Sequence, residues 1–171
     1  MSTIYIQTYK SPIGEMILGS YNENLCMVDF KYRRMRTSID KRLQKGLKSE
    51  YVNESSKVIE ESIQQLKEYF SGERKEFDIP LLTIGTDFQK SVWEGLLKIP
   101  YGTTASYLEL SKNIGNEKAV RAVASANGAN AIGIIIPCHR IIGSNGDLVG
   151  YAGGLPAKKK LLELEHNLFS V

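Results

Sequence analysis

Apolar and polar residues alternate over the first thirty positions with the two-residue period of a β-strand. Ile4, Ile6 and Thr8 alternate with Tyr and Gln residues, and two further apolar runs follow at 16–18 and 25–30. The sequence Tyr-Asn-Glu-Asn between these two runs is typical of a tight turn. The pattern therefore predicts antiparallel strands that include a hairpin.

The apolar period changes from strand-like to helical in the middle of the chain. Ile59, Ile63, Leu66 and Phe70 recur at helical spacing, and Gly72 supplies a C-terminal stop. We predict a helix over this segment.

Residues 31–50, which precede that helix, are rich in lysine and arginine but contain few apolar residues. We expect a loop with a weak helix there. Such a charge run is more often a solvated face than a nucleic-acid-binding patch, although both interpretations stay open. Beyond the helix, 77–81 is expected to be an extended linker. We place the domain boundary so that one domain covers 1–84 and the other 85–171.

The second half of the chain contains residues that typically begin and end short helices. Thr86 or Asp87 can cap a first helix, which the sequence Ile-Pro-Tyr-Gly at 99–102 ends. Ser106 and Glu109 fit a capping box, in which each residue's side chain accepts from the other's backbone N–H.

A third helix, predicted over 117–127 with Asn116 as its cap, consists almost wholly of small residues. Arg121 is its one long cation after Lys118. Two short helices joined by a glycine-containing turn resemble a helix-turn-helix, although many helical hairpins bind no DNA. A small-residue face serves either a close-packed core contact or a close approach to a narrow groove, such as the minor groove of DNA.

Composition limits the class of protein. The chain has 171 residues, of which 42% are hydrophobic and 24% charged, as in soluble globular proteins. It shows neither a signal peptide nor an apolar run approaching the roughly 18 residues of a membrane span. Two cysteines and two histidines at scattered positions predict neither a disulfide framework nor a metal site, and they favour the cytoplasm. The net charge of +3 permits nucleic-acid binding without indicating it.

The strongest candidate for chemistry is the sequence Ile-Ile-Ile-Pro-Cys-His-Arg at 134–140. Its β-branched run predicts a strand that ends at Pro137, which would hold Cys138 at a fixed backbone angle. His139 and Arg140 can both favour the thiolate, which is the nucleophilic form of cysteine. A buried strand with an inert cysteine fits the same segment, and the segment alone does not decide between the two.

Several segments after Pro100, taken in order, resemble the O6-alkylguanine-DNA alkyltransferases. They are Ile-Pro-Tyr-Gly, Ala-Val-Arg-Ala-Val in the third helix, Asn130, Pro-Cys-His-Arg, and Gly-Tyr-Ala-Gly-Gly-Leu at 150–155. The resemblance covers roughly residues 86–166, and the N-terminal half is similar mainly in layout. It implies an α+β fold. A small ribonuclease H-like domain with antiparallel strands and a helix would precede a mostly helical, winged-helix-like domain that contains the helix-turn-helix and the active site.

The resemblance also implies a reaction. The protein would bind double-stranded DNA through the minor groove and flip out O6-alkylguanine, with O4-alkylthymine as a second candidate substrate. Flipping is required because a sulfur atom cannot reach its target inside the base stack. Cys138 would accept the alkyl group irreversibly, once per molecule. No cofactor, metal or membrane is implied, and the expected state is a monomer.

The catalytic roles follow the resemblance residue by residue. Cys138 matches the acceptor, and His139 matches the base that acts on its thiol through a water. Glu165 matches the carboxylate that orients the histidine. Tyr107 matches a tyrosine that protonates the departing guanine, and Asn130 matches an asparagine that braces the cysteine region. The alternatives are a surface aromatic residue at 107 and a purely conformational asparagine at 130.

An independent argument supports Glu165. Leu161, Leu164 and Leu168 mark the buried face of a helix that begins at Pro156, and Glu165 lies beside that face. A carboxylate there needs a partner because an unpaired buried charge is costly. The alternative is a surface glutamate paired with a lysine.

The resemblance assigns two further groups of residues. Arg121 matches the arginine that fills the space left by the extruded nucleotide, although a phosphate contact is its alternative. The other DNA-facing residues would be Tyr107, Ala119, Ala122, Ser125 and Ala126, and the base pocket would be formed by Tyr151, Ala152, Gly153 and Gly154. Ala152 stands where many relatives have serine, which predicts a tuned substrate preference with retained activity.

Three other classes of protein fit parts of the pattern. A cysteine hydrolase also uses Cys, His and a carboxylate, but it has no use for the alanine-rich helix. A damage sensor that flips bases without reacting would lack the acceptor cysteine. A transcription regulator would carry base-reading Gln, Asn or Arg residues along the third helix, where alanine dominates.

Overall fold

The alternating residues at the start of the chain form three strands of a four-stranded sheet, which confirms the predicted antiparallel strands. The computed structural model describes residues 2–166, which divide between a compact unit that ends at Gly85 and another that begins at Thr86. The sheet order is β3-β2-β1-β4, in which β4 runs parallel to β1 and the other pairs are antiparallel. The elements of the first unit are β1 (Ile4–Ser11), β2 (Gly14–Tyr21), β3 (Asn24–Phe30), α1 (Arg36–Leu47), β4 (Tyr51–Val52) and α2 (Lys57–Phe70).

The predicted hairpin joins β2 to β3. Tyr21 pairs with Asn24 across a two-residue turn, and the turn residues Asn22 and Glu23 have φ angles of 49° and 60°. Two central residues in the left-handed region match the twist that a two-residue hairpin requires.

Helix α2 confirms the predicted helix, but its buried face differs in part from the one predicted. The side chain of Ser56 caps it by accepting from the Ile59 N–H, and Ile59 and Leu66 are buried. Ser62 is buried in preference to Ile63, and its hydroxyl donates to the Val58 carbonyl at 2.7 Å, which satisfies it inside the helix.

The basic segment 31–50 contains a helix after a short loop, as expected, and this helix, α1, is regular over twelve residues. Ile39 and Leu43, one turn apart, anchor it in the core. Two arginines of the segment are paired as well, since buried Asp29 accepts from the guanidinium groups of Arg33, just before the helix, and Arg36, its first residue. Few apolar positions suffice for a stable helix when charged neighbours are neutralised in this way.

The expected linker 77–81 is part of the first unit. The Leu25 N–H donates to the Pro80 carbonyl at 2.8 Å, and the Leu82 N–H donates to the Leu25 carbonyl at 2.9 Å. These bonds fasten the segment along the start of β3.

The second unit is mostly helical, as predicted. Capping boxes at Thr86 with Gln89 and at Ser106 with Glu109 begin its first two helices. Two-residue strands β5 and β6 pair in parallel. The elements are α3 (Asp87–Leu97), β5 (Ala105–Ser106), α4 (Tyr107–Asn113), α5 (Val120–Gly128), β6 (Ile141–Ile142) and α6 (Leu155–His166), with 3-10 turns at Glu117–Ala119 and Cys138–Arg140.

Helices α4 and α5 form the helix-turn-helix pair, and α3 packs against both. The α-helix α5 begins later than predicted, because the 3-10 turn Glu117–Ala119 comes first and the Asn116 side chain makes no capping bond. The indole of Trp93 in α3 donates to the Ala126 carbonyl at 2.9 Å, which ties α5 to α3. No helix among residues 2–166 is long and apolar enough to cross a membrane.

Candidate active site

Cys138 follows a tight turn, so the strand predicted over 134–137 was wrong. The Ile136 N–H donates to the Ile132 carbonyl at 3.0 Å, and the Cys138 N–H donates to the Ile136 carbonyl at 2.8 Å. Ile134 has a φ of 68°, a strained value for a β-branched residue. The run is apolar because the whole turn is buried, and apolar periodicity does not distinguish such a turn from a buried strand.

The side chain of Asn130 holds this turn together. Its amide nitrogen donates to the Ile136 carbonyl at 2.9 Å and to the Ile132 carbonyl at 3.3 Å, while its Oδ1 accepts from the Ile132 N–H at 2.9 Å. The side chain is buried. Asn130 therefore sets the backbone that leads into Cys138, which is the place where the sequence predicted a brace.

The structure brings His139, Arg140 and Glu165 together in one buried cluster. His139 Nε2 lies 2.6 Å from Glu165 Oε2, and the two residues are 0% and 4% exposed. Arg140 donates from Nε to Glu165 Oε1 at 2.7 Å and from Nη2 to Glu165 Oε2 at 3.1 Å. Its Nη1 also donates to the Ile99 carbonyl at 2.6 Å. Arg140 therefore ties the Glu165 carboxylate to the Ile99 backbone.

The charges in this cluster assign the histidine tautomer. Burial disfavours the Glu165 carboxylate, but the hydrogen bonds and charges of His139 and Arg140 outweigh it and lower the pKa of Glu165 to about 2. Burial lowers the pKa of His139, against the opposing effect of Glu165. At neutral pH the imidazole is therefore neutral and donates from Nε2 to the carboxylate. Its Nδ1 is then a buried acceptor that has no hydrogen-bond partner among the described residues.

Helix α6 presents Glu165 from its buried face. Leu161 and Leu162 are buried on that helix, whereas Leu164 is only half-buried. The buried face therefore differs from the predicted one: Leu162 is buried in the core, where Leu164 was predicted to be. Leu168, the third residue of that prediction, lies outside the described residues.

Tyr107 is the first residue of α4. Its hydroxyl interacts with Asn127, a residue that the sequence analysis did not identify as part of the site. Burial raises the pKa of Tyr107, a hydrogen bond from Asn127 on α5 lowers it, and the charge of Cys138 raises it again. The hydroxyl is thus protonated at neutral pH, and it is close enough to Cys138 for the charge of that residue to affect its pKa. The position of Asn127, four residues after buried Val123, is the pattern that could have identified its inward direction.

The predicted DNA-facing residues divide into exposed and buried ones. Arg121, Ala122 and Ser125 are exposed on α5, and Ala119 is half-buried. Ala126 is only 3% exposed and lies on the core side with Val123, so its placement on the outer face was wrong. Its carbonyl accepts from Trp93, so this part of α5 faces α3.

The predicted pocket residues, Tyr151, Ala152, Gly153 and Gly154, are all half-buried in the segment before α6. The Gly154 N–H donates to the Tyr151 carbonyl at 3.0 Å, and Gly154 has a φ of 89°, which favours glycine. The Tyr151 ring is edge-on to the His139 ring, with 6.5 Å between centroids. This segment therefore borders the Cys138 cluster.

Two family models match the chain over most of its length. One, described as the DNA binding domain of 6-O-methylguanine DNA methyltransferase, matches residues 87–167. The other, described as the ribonuclease-like domain of 6-O-methylguanine DNA methyltransferase, matches residues 4–83.

Individual proteins are similar over nearly the whole chain. The methylated-DNA–protein-cysteine methyltransferase of Methanosarcina acetivorans is 46% identical over 162 residues, which are 95% of this chain and 98% of that protein. The crystal structure of Mycobacterium tuberculosis OGT in complex with DNA matches with a TM-score of 0.81 and 41% identity, over 95% of this chain and 93% of that one. The O6-methylguanine-DNA methyltransferase of Pyrococcus kodakaraensis shares the fold, with a TM-score of 0.72 and 22% identity over 95% and 99%.

Proposed function

Because this chain belongs to the 6-O-methylguanine DNA methyltransferase family, we propose that it repairs DNA by direct reversal of damage, with Cys138 as the alkyl acceptor. The similar Mycobacterium tuberculosis protein was crystallised with DNA, which supports DNA as the partner of this chain. We assign the reaction to residues 85–171 and leave 1–84 as a separate ribonuclease H-like domain. A cytoplasmic location stays a prediction.

The observation that carries the proposal is the hydrogen-bonded series from Glu165 through His139 towards Cys138. The carboxylate holds Nε2–H, and Nδ1 is left as an acceptor on the residue next to the thiol. A neutral imidazole with a free ring nitrogen is the form that a general base requires. A buried structural cysteine would need none of these groups.

The transfer is a single displacement at carbon. A water relays the Cys138 thiol proton to His139 Nδ1, and the thiolate attacks the alkyl carbon attached to O6 of the extruded guanine. The carbon–sulfur bond forms while the carbon–oxygen bond breaks, and the guanine leaves with that electron pair. Tyr107 donates its hydroxyl proton to the departing base, and Asn127 holds that hydroxyl in position. The thioether is stable, so each molecule reacts once.

The experiment that tests the function is a titration with a duplex that contains one O6-methylguanine. We expect mass spectrometry to show one added methyl group, mapped to Cys138, and a yield that stops at one repaired base per protein. The same duplex with unmodified guanine is the control and should give no adduct. Repeated turnover would favour a hydrolase, and tight binding without an adduct would favour a damage sensor.

Arg121 on α5 should assist base extrusion. The side chain is exposed, so replacement by alanine removes no core contact. We expect Arg121→Ala to slow alkyl transfer from duplex DNA at least tenfold, because the extruded base loses the group that fills its place. The measurement is the single-turnover rate on duplex DNA.

Two further variants separate extrusion from a phosphate contact. Arg121→Lys keeps a cation, so it should restore the rate if Arg121 only contacts a phosphate. Lys118→Ala removes an exposed cation just before α5 and is the matched control. Full activity of Arg121→Lys, or equal losses for Arg121→Ala and Lys118→Ala, would contradict the extrusion role.

A further inference from the structure

The turn at 99–102, which follows α3, contacts the buried cluster of His139, Arg140 and Glu165. Its sequence Ile-Pro-Tyr-Gly was predicted to end the first helix of this unit, and α3 ends just before it. The Ile99 carbonyl also accepts from Arg140 Nη1 at 2.6 Å. A helix stop requires no such bond, so the turn has a second role beside the cluster.

The ring of Tyr101 covers the Arg140 guanidinium. The guanidinium carbon lies 5.8 Å from the centroid of the tyrosine ring, within the range in which the face of an aromatic ring attracts a cation. Arg140 is only 6% exposed, and the ring is one of the groups that keep water from it. The guanidinium is thus held by the Glu165 carboxylate, by the Ile99 carbonyl and by this ring.

The same turn also contacts the end of α6, the helix that carries Glu165. The Tyr101 hydroxyl donates to the Leu164 carbonyl at 3.4 Å. Gly102 has a φ of 79°, and a Cβ there would lie 3.3 Å from the Glu165 carbonyl oxygen. The turn therefore approaches the last residues of α6 closely, through a hydrogen bond and through a glycine that leaves room for the contact.

Arg140 and His139 share one oxygen of Glu165. His139 Nε2 lies 2.6 Å and Arg140 Nη2 lies 3.1 Å from Oε2. While Arg140 stays on the carboxylate, its positive charge opposes the protonation of His139. If Arg140 moved away, the imidazole would be left as the nearest partner of the carboxylate, which would then favour the imidazolium. The position of Arg140 therefore controls whether His139 Nδ1 remains an acceptor.

We propose that Tyr101 is a positioning residue for alkyl transfer, because its ring keeps the Arg140 guanidinium on Glu165 and thereby keeps His139 in the neutral form that acts as a base. This inference rests on the proposed function of Cys138. Tyr101 acts through Arg140, and no step of the transfer is assigned to the tyrosine itself.

The surroundings of His139 give the sign of the expected effect. Its titratable and charged neighbours come from its own turn, from the segment before α6 and from α6, and they are Cys138, Arg140, Tyr151, Lys158 and Glu165. Burial lowers the pKa of His139 most, Glu165 opposes it, and Arg140 and Lys158 lower it further. Removal of the Tyr101 ring admits water and loosens Arg140 from Glu165. Because both changes weaken the effects that lower the pKa of His139, this pKa should rise.

The first test measures His139 in the free protein by NMR. The chain has two histidines, and His166→Gln assigns their signals. In Tyr101→Leu we expect the titration midpoint of His139 to rise by about one pH unit, since leucine has no ring face to hold the cation. Thr103→Ala is the control, because it removes a hydroxyl bond to the Pro100 carbonyl within the same turn, and it should leave the midpoint unchanged. An unchanged midpoint in folded Tyr101→Leu, or an equal rise in Thr103→Ala, would overturn the proposal.

The second test measures the pH dependence of transfer from the O6-methylguanine duplex at saturating DNA. A base must be neutral to accept a proton, so a raised His139 midpoint moves the acidic limb of the rate profile to higher pH. We expect Tyr101→Leu to be slower than wild type by about fivefold to tenfold at pH 6 and by less than about twofold at pH 8.5. An equal loss at both pH values would indicate general damage to the fold and overturn the proposal. If wild type transferred nothing, the proposed function would fail, while the histidine titration would still decide whether Tyr101 sets the charge state of His139.

Tyr101→Phe separates the ring from the hydroxyl. It keeps the ring over Arg140 and loses the bond to the Leu164 carbonyl, so we expect a His139 midpoint and a transfer rate close to those of wild type. A rise as large as that in Tyr101→Leu would contradict the role of the ring. Tyr101→Met fills more of the same volume without a ring face and covers the case in which Tyr101→Leu does not fold. It should also raise the midpoint, and an unchanged midpoint would overturn the proposal.

Discussion

Cys138→Ser should abolish alkyl transfer to the protein while binding to alkylated duplex DNA stays within about twofold of wild type. The substitution exchanges sulfur for oxygen in a side chain that is 6% exposed, so packing changes little. A serine hydroxyl is far less acidic than a thiol, and the neutral imidazole of His139 cannot ionise it to a useful extent. We therefore expect the single-turnover rate to fall by at least about a thousandfold. The rate is measured by loss of O6-methylguanine from the duplex and by the mass of the protein.

Cys26→Ser is the matched control for this experiment. Cys26 lies in β3 and is buried, and burial raises the pKa of its thiol to about 12. It is therefore a neutral thiol at physiological pH and has no role in transfer. We expect Cys26→Ser to react at the wild-type rate and to carry its methyl group on Cys138. A methyl group on Cys26, or transfer by Cys138→Ser, would remove Cys138 from the mechanism.

The regular elements were predictable because their local patterns agree with their burial. The hairpin at 22–23 and the capping boxes at Thr86 and Ser106 depend on residues close in sequence, and the pattern of residue types contains that information. Helix α2 was predicted for the same reason. Its buried face was shifted because Ser62 satisfies its own hydroxyl within the helix and thus enters the core without cost to hydrogen bonding.

The residues alone indicated Cys138 with His139 as candidates for chemistry and gave Glu165 a buried position, but the family resemblance was needed to join them in one site. Nothing in the run at 134–137 distinguishes a strand from a buried turn that Asn130 holds through three hydrogen bonds.

Lys158 stands at the start of Lys-Lys-Lys, a sequence typical of a solvated surface. It is buried in the fold, and its burial depends on hydrogen bonds to carbonyls at 149–150, whose positions a local pattern does not contain. The spacing of seven residues from Glu165 was the one available indication that both side chains share a face.

Glu165→Gln should both slow alkyl transfer and destabilise the fold. The substitution leaves the Arg140 guanidinium buried without its counter-charge, and breaking a buried ion pair in this way typically costs about 3–5 kcal/mol. The glutamine amide offers one acceptor oxygen where His139 and Arg140 use two, so the hydrogen bond that fixes the His139 tautomer is weakened and Nδ1 is no longer reliably unprotonated. We expect transfer to slow by about tenfold to a hundredfold, with DNA affinity close to wild type. Denaturant unfolding and single-turnover kinetics measure the two effects separately.

The pH dependence distinguishes the loss of a buried carboxylate from general damage to α6. The pKa of Glu165 is about 2 in the fold, below its ordinary value of 4.5. Its contribution to stability is therefore fully present above pH 4.5 and is lost as the pH falls towards 2. The difference in unfolding free energy between wild type and Glu165→Gln should be largest at pH 7 and smaller by about 2 kcal/mol at pH 3. Glu163→Gln is the control on the same helix, where the Glu163 carboxylate lies 3.9 Å from the Lys159 ammonium. Its unfolding free energy should differ little from that of wild type at either pH. A constant difference between wild type and Glu165→Gln across this range would show that the ionised carboxylate is not what stabilises the cluster.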